Sequence, residues 1–296
     1  MTRKRLYLVL AAVAGVALLA WTIHSVGPSV LVQQLQALAP VLPLLLGLAA
    51  LRFLLQAAGW RFALAPANRP PWGEMFNAVV AGEAAGYFAW GPLSREPMKA
   101  FLLGHRVPER EGLATAMVER ALYTIVAAAL ILAAIGIVAA RYGRLWWFLV
   151  AFTAMGAMAM SAKRYWRRLG RVVDRRDTAA AILACAAAQE LSNVVEAYVV
   201  LAWLGAAPTV TSVLVLEGIS RLMNGAGQFI PGKLGITEAA SAALSEGLQL
   251  GAAHGLSLAL ARRVRSLAWG AVGIAVVAMR AARTRRAEPA PYLVVA

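Results

Sequence analysis

The chain has 296 residues, of which 61% are hydrophobic and only 15% charged, and its net charge is +15. A soluble domain carries about 25% charged residues and roughly half apolar ones, so a mean hydropathy of +0.67 points to an integral membrane protein. The single cysteine, Cys185, excludes an internal disulfide and any Cys-based metal cluster, and the three histidines are scattered; no metal or cofactor is expected.

In chain order, the first apolar run, 6–23, follows Arg3, Lys4 and Arg5. It is long, lacks a convincing cleavage site and reads as a retained signal-anchor helix. Further runs at 41–63, 113–140, 145–161, 178–204 and 256–280 approach the ~20 residues that cross a ~30 Å hydrocarbon core. About six spanning helices are therefore expected, in an all-α polytopic membrane protein. No segment alternates like a barrel strand.

Two segments, 72–104 and 209–250, are moderately apolar and broken in the middle by Gly and Pro. Neither fits one span, and two spans in the first would need helices shorter than a bilayer requires. Each reads as a re-entrant helical hairpin, because irregular backbone at membrane depth is tolerated where protein or water covers it.

The basic residues set the orientation. They gather at the start, after the second span (Arg69, Arg95, Lys99, Arg106, Arg110), in KRYWRRLGRVVDRR, and in the tail, whereas 24–40 and 205–211 have none. Both termini are expected in the cytoplasm, in the cytoplasmic membrane of the cell. The first hairpin then dips from the cytoplasm and the second from outside. Because the charge lies in short connections, a nucleic-acid partner is not expected. Segment 162–177 reads as a cytoplasmic amphipathic stretch with Trp166, Leu169, Val172 and Val173 on one face, and 281–296 as a short basic tail. The whole chain is one integral membrane domain.

The two breaks resemble each other. GYFAWGPLS from Gly86 and GQFIPGKLG from Gly227 share Gly, Phe, Gly and Leu in register, 141 residues apart, and Arg120 and Arg262 follow at nearly the same distance from each. With opposite sidedness this predicts an inverted repeat, approximately 41–140 and 178–280, the arrangement that places transporter sites near the bilayer midplane.

Ionisable residues at membrane depth are costly, about 2.5–3.5 kcal/mol each on insertion scales. Glu217, Arg221, Asn224 and Gln228 form one helical stripe, with Glu217 and Arg221 spaced as an i,i+4 ion pair. Gln189, Asn193 and Glu196 form another, with Glu190 beside it, and Glu119-Arg120 lies within the third span. Arg262 opens the last span with Arg263 and Arg265, which are able to snorkel to the interface. At the second break, QFIPGKLGITE, Pro231 stops a helix, Gly232 and Gly235 permit close backbone approach, and Lys233 adds a cation. Glu238 sits where it can cap the next helix, pair with Lys233 or Arg221, or exchange a proton. The first break offers Arg95, Glu96 and Lys99.

PGKLGITE before an Ala-rich helix resembles the PGGLG-x-x-E signature of the lysylphosphatidylglycerol synthase transmembrane (flippase-like domain) family. The Gly/Pro-broken segment followed by Arg95, and Glu119-Arg120 in the next helix, agree with it. The resemblance implies a role for Pro231, Gly232, Gly235 and Glu238, and a function in moving lipids or acting beside lipid-modifying enzymes. Lys233 stands where the family pattern has Gly, and Trp90 and Ser94 replace Pro and Gly at the first break. The soluble aminoacyl-transfer domain of bifunctional relatives is expected to be absent, since about sixteen residues follow the last span.

No catalytic motif accompanies these features, so an enzyme is not expected. The reading is a lipid flippase or scramblase that passes an anionic or aminoacylated headgroup, or a lipid-linked precursor, along a polar groove between the hairpins. Glu196, Glu217 and Glu238 are its candidates for proton coupling. The alternative is a non-transporting partner that scaffolds a lipid- or glycan-modifying enzyme. Oligomeric state is not legible.

Overall fold

A computed structural model describes residues 28–88, 92–142, 176–226 and 235–287, with Trp21 and His24. The predicted spans 6–23 (Trp21 apart) and 145–161, most of segment 162–177, and the last nine residues of the tail lie outside the described residues. Every extended regular element among the described residues is helical. Helix α1 is Pro28–Leu38, α2 Leu42–Ala63, α3 Trp72–Phe88, α4 Pro92–Leu103 and α5 Glu109–Tyr142. The second set is α6 Arg176–Trp203, α7 Val210–Ala226, α8 Ile236–Gly247 and α9 Ala252–Ala287.

Among the described residues, four stretches are long and apolar enough to cross a membrane: Pro28–Ala63, Glu109–Arg141, Asp177–Trp203 and Ala252–Ala282. They contain the predicted runs 41–63, 113–140 and 256–280, and nearly all of 178–204. One expectation needs correction. Segment 24–40, read as a connection, is helical from Pro28 and leads through a 3-10 turn at Ala39–Val41 into α2. It is held by a Ser257 hydroxyl donating to Gln34 at 2.6 Å and by the Trp203 indole donating to the Ala37 carbonyl at 2.8 Å.

Each of the two broken segments contains, among the described residues, a helix of 17 residues and, further along, one of 12. At ~1.5 Å per residue these are about 26 and 18 Å long, so the shorter ones fall well short of the ~30 Å core. Glycine starts α8: Gly235 has φ +80, and its N–H is taken by the Glu238 carboxylate at 2.9 Å, which satisfies one of the free donors of the first turn.

The packing of α2–α5 repeats in α6–α9. Exchanging α2 with α6, α3 with α7, α4 with α8 and α5 with α9 maps the helix contacts onto themselves: α3–α9 matches α7–α5, α3–α4 matches α7–α8, and α4–α5 matches α8–α9. Helices α2 and α6 pack against each other across the centre.

Small residues allow these approaches, as expected where lipid supplies little hydrophobic drive. A Cβ at Gly218 would lie 2.4 Å from Ala134 Cβ and 2.9 Å from the Leu130 carbonyl, so α7 meets α5 backbone to backbone. At the matching crossing the glycine comes from the long helix: a Cβ at Gly273 would lie 2.6 Å from Ala84 Cβ and 2.7 Å from the Val80 carbonyl. Trp60, Met75, Val79 and Leu103 bury an apolar cluster among α2–α5, and Leu45, Leu201, Val213 and Leu258 bury another nearer α1 and α9.

Candidate functional site

Polar residues that the helix stripes place at membrane depth meet in three clusters. The largest lies where α2, α6, α7 and α9 converge. Glu196 of α6 is its anchor. Arg262 Nε donates to one Glu196 oxygen at 2.9 Å, Arg265 donates to the other, and Arg52 Nη2 stands 3.5 Å away. Arg52 also donates to the Asn193 side-chain oxygen, and Arg262 Nη2 reaches Glu217 at 2.7 Å and the Asn193 carbonyl at 3.2 Å. Beside this, Arg221 pairs with Glu190 at 2.8 Å and donates to the Tyr123 hydroxyl at 2.8 Å. Arg120 lies over the Tyr123 ring, 5.0 Å from its centroid.

The second cluster joins α3, α4 and α5. Lys99 has no exposure; its ammonium is 2.9 Å from Glu96 and 3.9 Å from Glu119. A Cβ at Gly82 would strike the Lys99 chain at 2.6 Å, so that glycine leaves the channel through which the side chain runs. Arg95 pairs with Glu83 at 2.6 Å nearer the break. The third cluster joins α8 and α9: Glu238 accepts from Gly235 N–H and from the Thr237 hydroxyl at 2.8 Å, and pairs with Arg263 at 2.6 Å.

The sequence-predicted residues are thus brought together in groups. Arg95, Glu96, Lys99 and Glu119 fall in the α3–α5 region, and Asn193, Glu196, Glu217, Arg221 and Arg262 in the central cluster with Arg120 at its flank. Gly235 and Glu238 shape the start of α8. Asn224 is helical within α7, while its side chain, together with Pro231, Gly232 and Lys233, lies outside the described residues.

Two pairings differ from expectation. Glu217 pairs with Arg262 of α9, and Arg221 with Glu190 of α6, instead of with each other along α7. Arg263 and Arg265 turn inward to Glu238 and Glu196 instead of snorkelling. The reason is depth: an exposed i,i+4 pair is worth about 0.2–0.5 kcal/mol, whereas a buried carboxylate left without a partner costs about 3–5. Arg52 and Tyr123 were missed. Arg52 carried a signal, for it is a lone cation in mid-span and precedes Asn193 by the same 141 residues that separate the two breaks.

The central cluster is polarised. Side-chain exposure is 0% for Glu196, 2% for Glu217 and 6% for Glu190, against 12% for Arg52 and Arg265, 23% for Arg262 and 25% for Arg221. The acids lie inside and hold guanidinium groups whose outer edges stay accessible. The named groups also sum to one more cation than anion. Such a surface favours a planar, multi-oxygen anion that accepts paired N–H donors. Among the described residues, no three of His, Cys, Asp and Glu converge so as to hold a metal ion.

Comparison with known families matches the lysylphosphatidylglycerol synthase TM region to residues 8–275 of this chain. No curated protein and no solved structure matches.

Proposed function

The chain belongs to the lysylphosphatidylglycerol synthase transmembrane family, a membrane protein related to lipid modification or transport, and from that premise we propose that it carries an anionic amphiphile between leaflets. The headgroup passes along the polar path formed by Arg52, Arg221, Arg262 and Arg265, while the acyl chains stay in lipid. The protein works as a carrier and not as a catalyst, in the cytoplasmic membrane with both termini inside. The observation that carries this reading is the polarised centre: buried carboxylates beneath partly exposed guanidinium groups. A purely structural network would gain most by hiding both partners equally.

Helices α3–α4 and α7–α8 act as re-entrant hairpins from opposite leaflets. Support comes from the 12-residue length of α4 and α8 and from the exchange of contacts between the two sets. Anionic phospholipids, aminoacylated phospholipids and lipid-linked precursors share the required chemistry.

Liposomes holding the purified protein and fluorescent phosphatidylglycerol test the reading. Externally added reductant is expected to bleach inner-leaflet probe in protein-containing vesicles and to stop at about half in empty ones. Unchanged kinetics for every anionic headgroup would instead support a partner that scaffolds a lipid- or glycan-modifying enzyme. Sidedness has its own test: with Cys185 replaced, cysteines at Ser94 and Leu234 should label from opposite faces, and labelling from one face removes the inverted hairpins.

A further inference from the structure

The two sets of helices differ in how one equivalent arginine is neutralised. Arg120 of α5 and Arg262 of α9 correspond under the exchange, 142 residues apart. Arg262 is held by two carboxylates, Glu196 at 2.9 Å and Glu217 at 2.7 Å. The places of those acids in the first set are taken by Leu55, at the 141-residue spacing of Arg52 and Asn193, and by Val79, counted from the helix starts Trp72 and Val210. Both are aliphatic. Glu119, the neighbour of Arg120 in sequence, turns away to Lys99.

Among the described residues Arg120 therefore has no carboxylate in ion-pair contact; its partner is the Tyr123 ring. It lies eleven residues into α5, about 16 Å from the start of the helix at ~1.5 Å per residue. An uncompensated guanidinium at that depth is strongly disfavoured, and intramembrane charges without a protein partner mark ligand paths. Tyr123 also joins Arg120 to Arg221, since its hydroxyl accepts from Arg221 Nη1 at 2.8 Å. One ring thus organises two guanidinium groups, one over its face and one at its hydroxyl edge. Among the described residues Glu190 is the carboxylate that pairs with them, through Arg221, and one positive charge is left over.

We propose that Arg120 and Arg221, spaced by Tyr123, form a subsite for a phosphate-type oxyanion. Arg120 is the cation that the ligand neutralises, as Glu196 and Glu217 neutralise Arg262. Phosphate presents several oxygens to two guanidinium forks at once, which a single point charge does not. The oxyanion is a lipid phosphodiester or free phosphate; the former deepens the transport reading and rests on it.

The test is titration calorimetry on the full chain in detergent, with dioctanoyl phosphatidylglycerol, inorganic phosphate and dioctanoylglycerol as separate ligands. Arg120→Gln is expected to weaken phosphatidylglycerol binding at least tenfold, Tyr123→Phe to weaken it several-fold, and Arg106→Gln, in an exposed pair with Glu74, to leave it unchanged. Displacement of the lipid by millimolar phosphate identifies the free anion as sufficient; no displacement identifies the lipid phosphodiester. Arg120→Lys covers the case in which Arg120→Gln does not fold: it keeps the charge and loses the fork, and a several-fold loss is expected. Unchanged phosphatidylglycerol affinity in the folded Arg120 variant, or an equal loss for dioctanoylglycerol, overturns the subsite. Wild-type protein that binds through Arg120 but moves no lipid in liposomes keeps the subsite and ends the transport reading. Transport without any effect of Arg120 on binding does the reverse.

Discussion

Helices α2–α5 and α6–α9 pack alike and distribute charge differently. In the second set, acids on α6 and α7 meet arginines on α9 at the centre, and Glu196 alone contacts three guanidinium groups. In the first set the ionic contacts withdraw to α4, where Lys99 lies between Glu96 and Glu119, and Arg120 is left to an aromatic ring. One packing pattern therefore carries two charge arrangements: the second set holds the inner edges of its arginines in ion pairs, and in the first Arg120 has no carboxylate in ion-pair contact among the described residues. A closed, symmetric ionic core would have no place for a ligand's charge.

Removing the anchor of the locked side should produce the largest effect. Glu196→Gln leaves Arg52, Arg262 and Arg265 facing one another with a neutral amide between them. Breaking a buried pair costs about 3–5 kcal/mol, and the remaining like charges add to it, so loss of folded protein in a detergent thermal melt is expected. Glu119→Gln changes a buried acid of the other set. Lys99 keeps Glu96 at 2.9 Å there, so the melt should fall by less. Equal losses would mean that the two sets do not differ as described.

Next in size are the glycine crossings. Gly218→Ala and Gly273→Ala each drive a methyl into backbone, at 2.9 Å from the Leu130 carbonyl and 2.7 Å from the Val80 carbonyl. Overpacking of this kind costs about 1–3 kcal/mol. The two losses should be alike, because the crossings correspond, and should add within roughly 0.5 kcal/mol in the double variant, since they share no residues. Gly47→Ala is the control: nothing lies within 4 Å of its added Cβ, and helix propensity favours Ala by about 1 kcal/mol.

Much of this architecture was legible in the sequence. The apolar runs announced the long helices, and each Gly/Pro interruption falls between a 17-residue helix and a 12-residue one. The residues of the clusters were visible as charges in the wrong solvent. Their pairing was not. Local spacing favoured Glu217 with Arg221, yet which residues of α7 turn toward Arg262 depends on how closely Gly218 lets α7 approach α5, a tertiary fact with no periodic signature. Arg265 reads as a helix-end cation until Glu196 is known to lie beside it. Helix α1 was read as a connection because 24–40 lies between two apolar runs and lacks basic residues; its prolines do not prevent a helix, since Pro28 begins it and Pro40 lies in the 3-10 turn, positions that tolerate a missing N–H.

The smallest effect separates two hydroxyls at matching places on the long helices, Thr115 of α5 and Ser257 of α9, 142 residues apart. Thr115 accepts from the Trp60 indole at 3.0 Å, where Trp60 is wholly buried. Ser257 donates to Gln34 at 2.6 Å, and Gln34 is only half-buried. Thr115→Val keeps the shape and strands a buried N–H, which costs about 1–3 kcal/mol. Ser257→Ala frees an amide that reaches other partners, so the loss should stay near the ~0.5–1.5 kcal/mol of an ordinary hydrogen bond. The melts of the two single variants should therefore fall in that order, Thr115→Val below Ser257→Ala. The reverse order would mean that Trp60 finds a second acceptor, and that α1 is held more firmly than the Ser257 hydroxyl of α9 and the Trp203 indole of α6 account for.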